Sequence, residues 1–177
     1  SGEPAATGIV TQHGGILVDF NAVKGGIEII PLDNDWQKAA HVYSDEVLIS
    51  HRTDAEKGTP KFERGKSLSD YQCEMIYISG TAAIRGEESI VTGDVLVQTE
   101  ITLENIQHLI GLEEGREKLP EHSGKLELLR VYLKHEEDAK IVKEDMDKLC
   151  PDVPIVYLYA DVCREELLVE IEGIAYL

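Results

Sequence analysis

A chain of 177 residues, 42% hydrophobic and 29% charged, carries enough apolar surface for one ordinary globular domain and lacks the composition of a disordered segment. Its 17 Lys and Arg stand against 34 Asp and Glu, a formal net charge of -17, and a surface this acidic repels phosphate backbones and anionic membranes, which excludes nucleic acid and membrane as partners. Cys73, Cys150 and Cys163 are too far apart for a disulfide framework or a metal set, which points to reduced thiols in the cytoplasm.

No apolar run approaches the ~20 residues that span a bilayer. The opening SGEPAATG has neither the basic nor the apolar region of a secretory signal. Thr7–Val10 and Ile16–Val23 are apolar and β-branched, and His13-Gly14-Gly15 between them predicts a hairpin. Lys24-Gly25-Gly26 ends that strand, and Ile27–Ile30 reads as another. Pro31–Gln37 is polar and turn-rich, Val42–Ser50 is a possible strand, and Arg52–Gly65 reads as a long exposed loop.

Cys73–Ser79 predicts a strand, followed by Gly80-Thr81 and a polar turn at Arg85-Gly86-Glu87-Glu88. Asp94 is an N-cap for a helix of about 17 residues that stops near Gly111. Val95, Thr99, Leu103, Ile106 and Ile110 make its apolar stripe. After a loop over Leu112–Gly124, Leu126–Leu133 predicts a strand. Glu136–Leu149 predicts a second helix, with Ala139, Val142, Met146 and Leu149 on one face and Pro151 beyond its end. Val153–Ala160 predicts a strand, Arg164-Glu165-Glu166 a turn, and Leu167–Leu177 the last strand.

The chain thus reads as a single domain. Residues 1–72 supply N-terminal strands and a long loop, and residues 73–177 a βαβαββ core. Two amphipathic helices need one apolar sheet face to cover, so the expected fold class is α+β, a two-layer sandwich. The other sheet face then needs cover too, which oligomerisation supplies.

Three segments resemble the Rid-type reactive-intermediate deaminases, the YjgF-like or L-PSP "endoribonuclease" family. They are GDVLVQTEITLENIQHLI (Gly93–Ile110), LLRVYLKHEEDAKIVKEDM (Leu128–Met146) and LLVEIEGIA (Leu167–Ala175). More of the chain resembles the C-terminal half of the chorismatases, chorismate-transforming enzymes of the same superfamily. The residues are PAATGIV (Pro4–Val10), TPKFERG (Thr59–Gly65), ISGTAAIRGEES (Ile78–Ser89) and ADVCREELLVEIEG (Ala160–Gly173). The resemblance implies a mixed six-stranded sheet with two helices on one face, and a homotrimer with clefts between subunits. Chorismatases carry a preceding half that contributes to their site and that this sequence lacks.

The resemblance also marks the candidate site. Glu170 matches the first Glu of the family's VEIE motif; desolvated in a cleft, its carboxyl would hold a proton near neutrality and donate it. By pattern alone, Glu170 and Glu172 on one strand face equally fit a solvated polar face. Arg164 suits a carboxylate clamp through its planar fork, or is a turn arginine in solvent. Cys163 matches a site-lining position in chorismatases, although a cysteine is more often a small buried hydrophobe. Gly80, Thr81 and Ala82 resemble the family's substrate-side turn, whose backbone N–H groups meet a carboxylate. Tyr157 and Tyr159 share a strand face and either wall a ring or pack in the core. Arg64 and Arg85 are further cations.

The implied activity is chorismatase-like: conversion of chorismate or a related enol ether with release of pyruvate. A Rid-like trimeric imine deaminase or a non-catalytic binder of small carboxylates is the alternative. Rid deaminases place a carboxylate-binding Arg early in the penultimate strand, and Pro154-Ile155-Val156-Tyr157 has none there. The endoribonuclease label fits poorly with a charge of -17. The six histidines show no ligand spacing, so neither a metal nor another cofactor is expected.

Overall fold

A computed structural model describes residues 2–10, 18–48, 58–70, 74–90, 93–111 and 125–176. Six strands form one sheet: β1 (Glu28–Leu32), β2 (Gly65–Ser69), β3 (Glu74–Thr81), β6 (Lys125–Leu133), β7 (Ile155–Tyr159) and β8 (Val169–Tyr176). Their order is β1-β2-β3-β8-β6-β7. All neighbours run antiparallel except β6 and β7, which are parallel. Between β3 and β6 lie a short hairpin, β4 (Ile84–Arg85) and β5 (Glu88–Ser89), and helix α1 (Val95–Leu109); α2 (Ala139–Leu149) makes the crossover from β6 to β7.

The apolar alternation of the second half dictates this layering. Leu129, Val131 and Leu133 of β6 and Val169, Ile171 and Ala175 of β8 point to the helices and are completely buried. They pack with Leu103 and Ile106 of α1 and Val142 and Met146 of α2. The intervening residues, Arg130, Tyr132, Glu170 and Glu172, lie on the helix-free face. β8 closes the chain yet sits in the middle of the sheet, so its N-terminal half is buried on both sides.

Helix α1 does more than cover the sheet. Two of its fully buried polar side chains hold the segments that flank the N-terminal end of β8. Asn105 donates to the carbonyls of Ala82 (3.0 Å) and Ile84 (3.1 Å). Gln98 donates to Glu166 O (3.0 Å) and accepts from Leu168 N (2.8 Å). A buried amide with every contact made fixes its partners, because leaving it unpaired is costly. The expected cap is present: Asp94 accepts from Leu96 N (2.9 Å) and Val97 N (3.4 Å). Asp94→Ala is expected to cost about 1 kcal/mol in urea denaturation, the usual worth of an N-cap. The helix ends in Gly111, whose φ of +75° is the left-handed stop that glycine tolerates.

Several expectations are corrected. The predicted strand at residues 42–50 is not one over its described part: Ala40–Val42 is a 3-10 turn, and turns follow to residue 47. The predicted hairpin fails too, because residues 18–23 form no strand and Val10 pairs with Asp161 across the chain. Its turn, His13-Gly14-Gly15, lies outside the described residues, as do Cys73 and the loop 112–124. β2 falls where the predicted loop ends; its sequence, GKSLS, has little β-propensity, and pairing with β1 and β3 makes it a strand. Leu149 is 43% exposed, because the apolar stripe of α2 stops at Met146, whose carbonyl accepts from Cys150 N. The expected turn at Arg85–Glu88 is the β4–β5 connection, with Gly86 at φ +59°.

Candidate active site

Glu170 projects from β8 onto the helix-free face and is only 8% exposed. It owes this burial to its own chain. Residues 2–10 run across that face: Ala5 bridges Glu63, Ala6 N donates to Ser79 Oγ (3.0 Å), and Val10 pairs with Asp161. This path sets Thr7 over the end of β3, where Gly80 N donates to Thr7 Oγ1 (2.8 Å). The β3–β8 register shifts between Ile78 and Thr81, and the resulting bulge presents Gly80 to Glu170. The approach is so close that a Cβ on Gly80 would stand 2.1 Å from Glu170 Oε1 and 2.8 Å from Thr7 Cγ2. Only glycine leaves room for the carboxyl there.

The electrostatics follow. Burial, and secondarily the charge of Glu172, push the Glu170 carboxyl up from 4.5 to about 7. At neutral pH it is therefore part protonated, in a place walled from water. A carboxylic acid with a proton to give near neutrality has the chemistry that a general acid requires. The neighbouring Glu172 is held by Arg130 Nη1 (2.6 Å) and Tyr132 OH (2.7 Å), both donating to its Oε1.

Cys163 stands beside this carboxyl. Its Sγ donates to Gly8 O (3.1 Å). Although the residue as a whole is exposed, local desolvation and then the Glu170 charge raise the thiol above its ordinary value, while Arg164 opposes them. Such a thiol lines a wall and is no ready nucleophile. Arg164 is buried, not a solvent arginine: Nη1 donates to Glu87 O (2.8 Å) and Ser89 Oγ (3.0 Å), and the guanidinium lies over the Tyr43 ring. Arg64 reaches the same ring and donates to Lys38 O (2.6 Å) and the Tyr43 hydroxyl. Its buried Nε has no partner among the described residues. Two buried guanidiniums thus share one tyrosine, and neither forms an ion pair with a described carboxylate.

The remaining expected residues divide. Gly80 is at the heart of the site, but its N–H is already engaged by Thr7 Oγ1 and by Ala6 O (3.3 Å). Thr81 donates to Ser79 O, and Ala82 packs with Ala83, Ile84, Val162 and Leu167. Tyr157 packs into the core under the helices, and Tyr159, paired with Leu133, points to the same side. Both lie on the sheet face opposite Glu170, so a single chain does not bring them to it. Arg85 is occupied by Asn105 and Glu104 and covers Trp36. Among the described residues no three His, Cys, Asp or Glu side chains gather as a metal site.

Sequence reasoning passed over Thr7, Tyr43, Arg130 and Tyr132. Arg130 and Tyr132 were legible in principle: they are the polar members of LLRVYL, which alternates with fully buried residues. Thr7 and Tyr43 were not, since no local pattern announces a residue brought in by a distant loop. An open cleft of about 550 Å³ lies elsewhere, between Asn34, Gln37, His41, Glu63 and His108. It holds none of the expected residues. A smaller one, about 330 Å³, is lined by Arg164, Ser89 and Leu48.

No family model matches the chain. A chorismatase of Streptomyces rapamycinicus is 34% identical over 97% of this chain and 50% of its own length. A 3-hydroxybenzoate synthase of Streptomyces hygroscopicus is 33% identical over 97% of this chain and 50% of its own. A crystal structure of chorismatase superposes at a TM-score of 0.72 with 28% identity, covering 97% of this chain and 50% of that one. The YjgF gene product of E. coli aligns at a TM-score of 0.54 and 15% identity, over 82% of this chain and 97% of that one, a likeness of fold alone. With the buried Glu170 at the end of a six-stranded, two-helix sheet, these findings identify the chain as a homologue of the chorismatases, spanning about half the length of the curated relatives it matches and built on the Rid/YjgF fold.

Proposed function

We propose that the chain carries a chorismatase-type active site, in which Glu170 protonates the methylene carbon of the enolpyruvyl ether of chorismate or a related cyclic enol ether. The observation that carries this reading is the Glu170 carboxyl, 8% exposed and packed against Gly80 and Thr7, where burial raises its proton affinity. An enol ether accepts a proton on carbon, and the acid that supplies it must be protonated at working pH and shielded from water. The resulting oxocarbenium is captured by water on the adjacent carbon, the one that bears the ether oxygen, and the proton that water loses restores the Glu170 carboxyl. The hemiketal then collapses: its hydroxyl proton passes to the departing ring oxygen, and the ring alcohol and pyruvate separate. Arg164 and Arg64, two buried cations on Tyr43, supply the positive charge that substrate carboxylates require in a protein of net charge -17. Cys163, Thr7 and Gly80 wall the reacting end.

A homotrimer belongs to this reading. Val156 and Leu158, on the helix-free face with Glu170, are 45% and 38% exposed, and a second copy would cover them. We also place the protein in the cytoplasm; among the described residues no helix is long and apolar enough to cross a membrane. The imine-deaminase reading is disfavoured by the missing arginine: β7 begins Ile155-Val156-Tyr157.

The test is pyruvate release from chorismate, followed with a coupled assay, and the mass of the chain by light scattering. Pyruvate formed in proportion to protein supports the reading. Background release by a folded trimer would remove it, and would leave a Rid-type binder of small carboxylates.

A further inference from the structure

The face around Glu170 holds a second carboxylate that the proton transfer itself does not use. Glu172 follows two residues later on β8, so both side chains leave the same face of the strand, about 7 Å apart along it. Unlike a surface glutamate, it has no freedom to swing away. Its Oε1 accepts from Arg130 Nη1 at 2.6 Å and from Tyr132 OH at 2.7 Å, and its side chain is 15% exposed. Tyr132 is itself buried and is the register partner of Glu170 across β6 and β8, so the clamp is built into the sheet directly beside the acid.

Among the described residues, several elements surround Glu170. Its own strand brings Glu172, and β6 brings Tyr132 and Arg130. The loop after β7 brings Cys163. β3 brings Gly80 and residues 2–10 bring Thr7, neither of them charged. The Tyr132 hydroxyl proton is committed to Glu172, and the Arg130 guanidinium is drawn the same way. Glu172 is therefore the fixed negative charge closest to Glu170 along the strand, and Arg130 is the cation that moderates it.

We propose that Glu172 is a positioning residue of this site: clamped by Arg130 and Tyr132, its fixed charge holds the neighbouring Glu170 in the acid form that protonation of a substrate carbon requires. The inference rests on the reading of Glu170 as proton donor. Like charges at this spacing raise the proton affinity of the more buried partner, and burial makes Glu170 that partner. The arrangement makes a prediction of sign that a merely structural role does not. Glu172→Gln keeps the shape and an acceptor for Tyr132 but removes the charge. Arg130→Gln keeps Glu172 and removes the cation that offsets it. The two changes should shift Glu170 in opposite directions.

The experiment titrates the Glu170 side-chain carboxyl by carbon-detected NMR in the full chain, alongside the pH profile of pyruvate release. In Glu172→Gln the midpoint is expected to fall by about half a pH unit to one, and in Arg130→Gln to rise by a similar amount. The alkaline limb of the activity profile should follow each midpoint. Unchanged midpoints in both variants, or shifts of the same sign, would overturn the inference. If Glu172→Gln does not fold, Arg130→Gln decides alone, since its cation is partly exposed: a rise supports the proposal and no rise ends it. The NMR titration needs no turnover, so an inactive chain would count against the chorismatase reading while these shifts still decide the role of Glu172.

Discussion

Glu170→Gln is expected to lower pyruvate release from chorismate by about 10²- to 10⁴-fold, the usual contribution of a positioned general acid. Gln fills the same volume between Gly80 and Thr7 but has no acidic proton to deliver. KM should change far less than kcat, because the carboxyl acts on the reacting carbon and not on the carboxylates that anchor the substrate. The same variant has a second signature that requires no substrate. A carboxyl raised from 4.5 to about 7 binds its proton more tightly in the folded chain than in the unfolded one. Its contribution to stability is whole below about 4.5 and is lost as the pH rises through about 7, a loss of ~3 kcal/mol at most. Gln does not titrate. Variant and wild type should therefore unfold at similar urea concentrations at pH 5, and the variant should be the more stable at pH 8. Parallel curves for the two proteins across that range would show that Glu170 is neither buried nor perturbed as described.

Gly80→Ala is expected to cost about 10²-fold in kcat/KM, the scale on which misplacement of a reacting group by an ångström is felt. The methyl would stand 2.1 Å from Glu170 Oε1 and 2.8 Å from Thr7 Cγ2. Both are ends of side chains and both can yield, so the fold survives with a small loss of stability while the carboxyl is driven from its pocket. Displaced toward water, it returns toward an ordinary carboxylate and the alkaline limb of the pH profile moves to lower pH. Gly173→Ala is the control. Its methyl would meet the Leu128 backbone carbonyl at 2.6 Å, which cannot step aside, so that variant should lose stability first. Activity within a few-fold of wild type in Gly80→Ala would show that the contact between Gly80 and Glu170 does not set the geometry of the acid.

The second half of the chain is legible from its residues. Its helices show apolar stripes at steps of three and four, and its strands alternate every second residue, because each element packs one face on one core. Asp94, Gly111 and the core residues Leu103, Ile106, Val142 and Met146 follow from local rules alone. Glu170 stands out by resemblance, since alternation by itself does not tell a site carboxyl from a solvated one.

What local patterns do not show is whatever distant segments bring together. β2 is a strand only because β1 and β3 flank it, and Leu149 leaves the predicted stripe where the chain turns away at Pro151. Tyr157 and Tyr159 go to the far face because the parallel register of β7 on β6 sets their parity. Within a single chain, Glu170 is already enclosed by Thr7 and Gly80, both far from it in the sequence. Composition and periodicity settled the class of fold, since those patterns report how each element meets water. Only the tertiary structure decided which carboxylate would be dry and beside what, because desolvation depends on everything packed around a group and not on its neighbours in the chain.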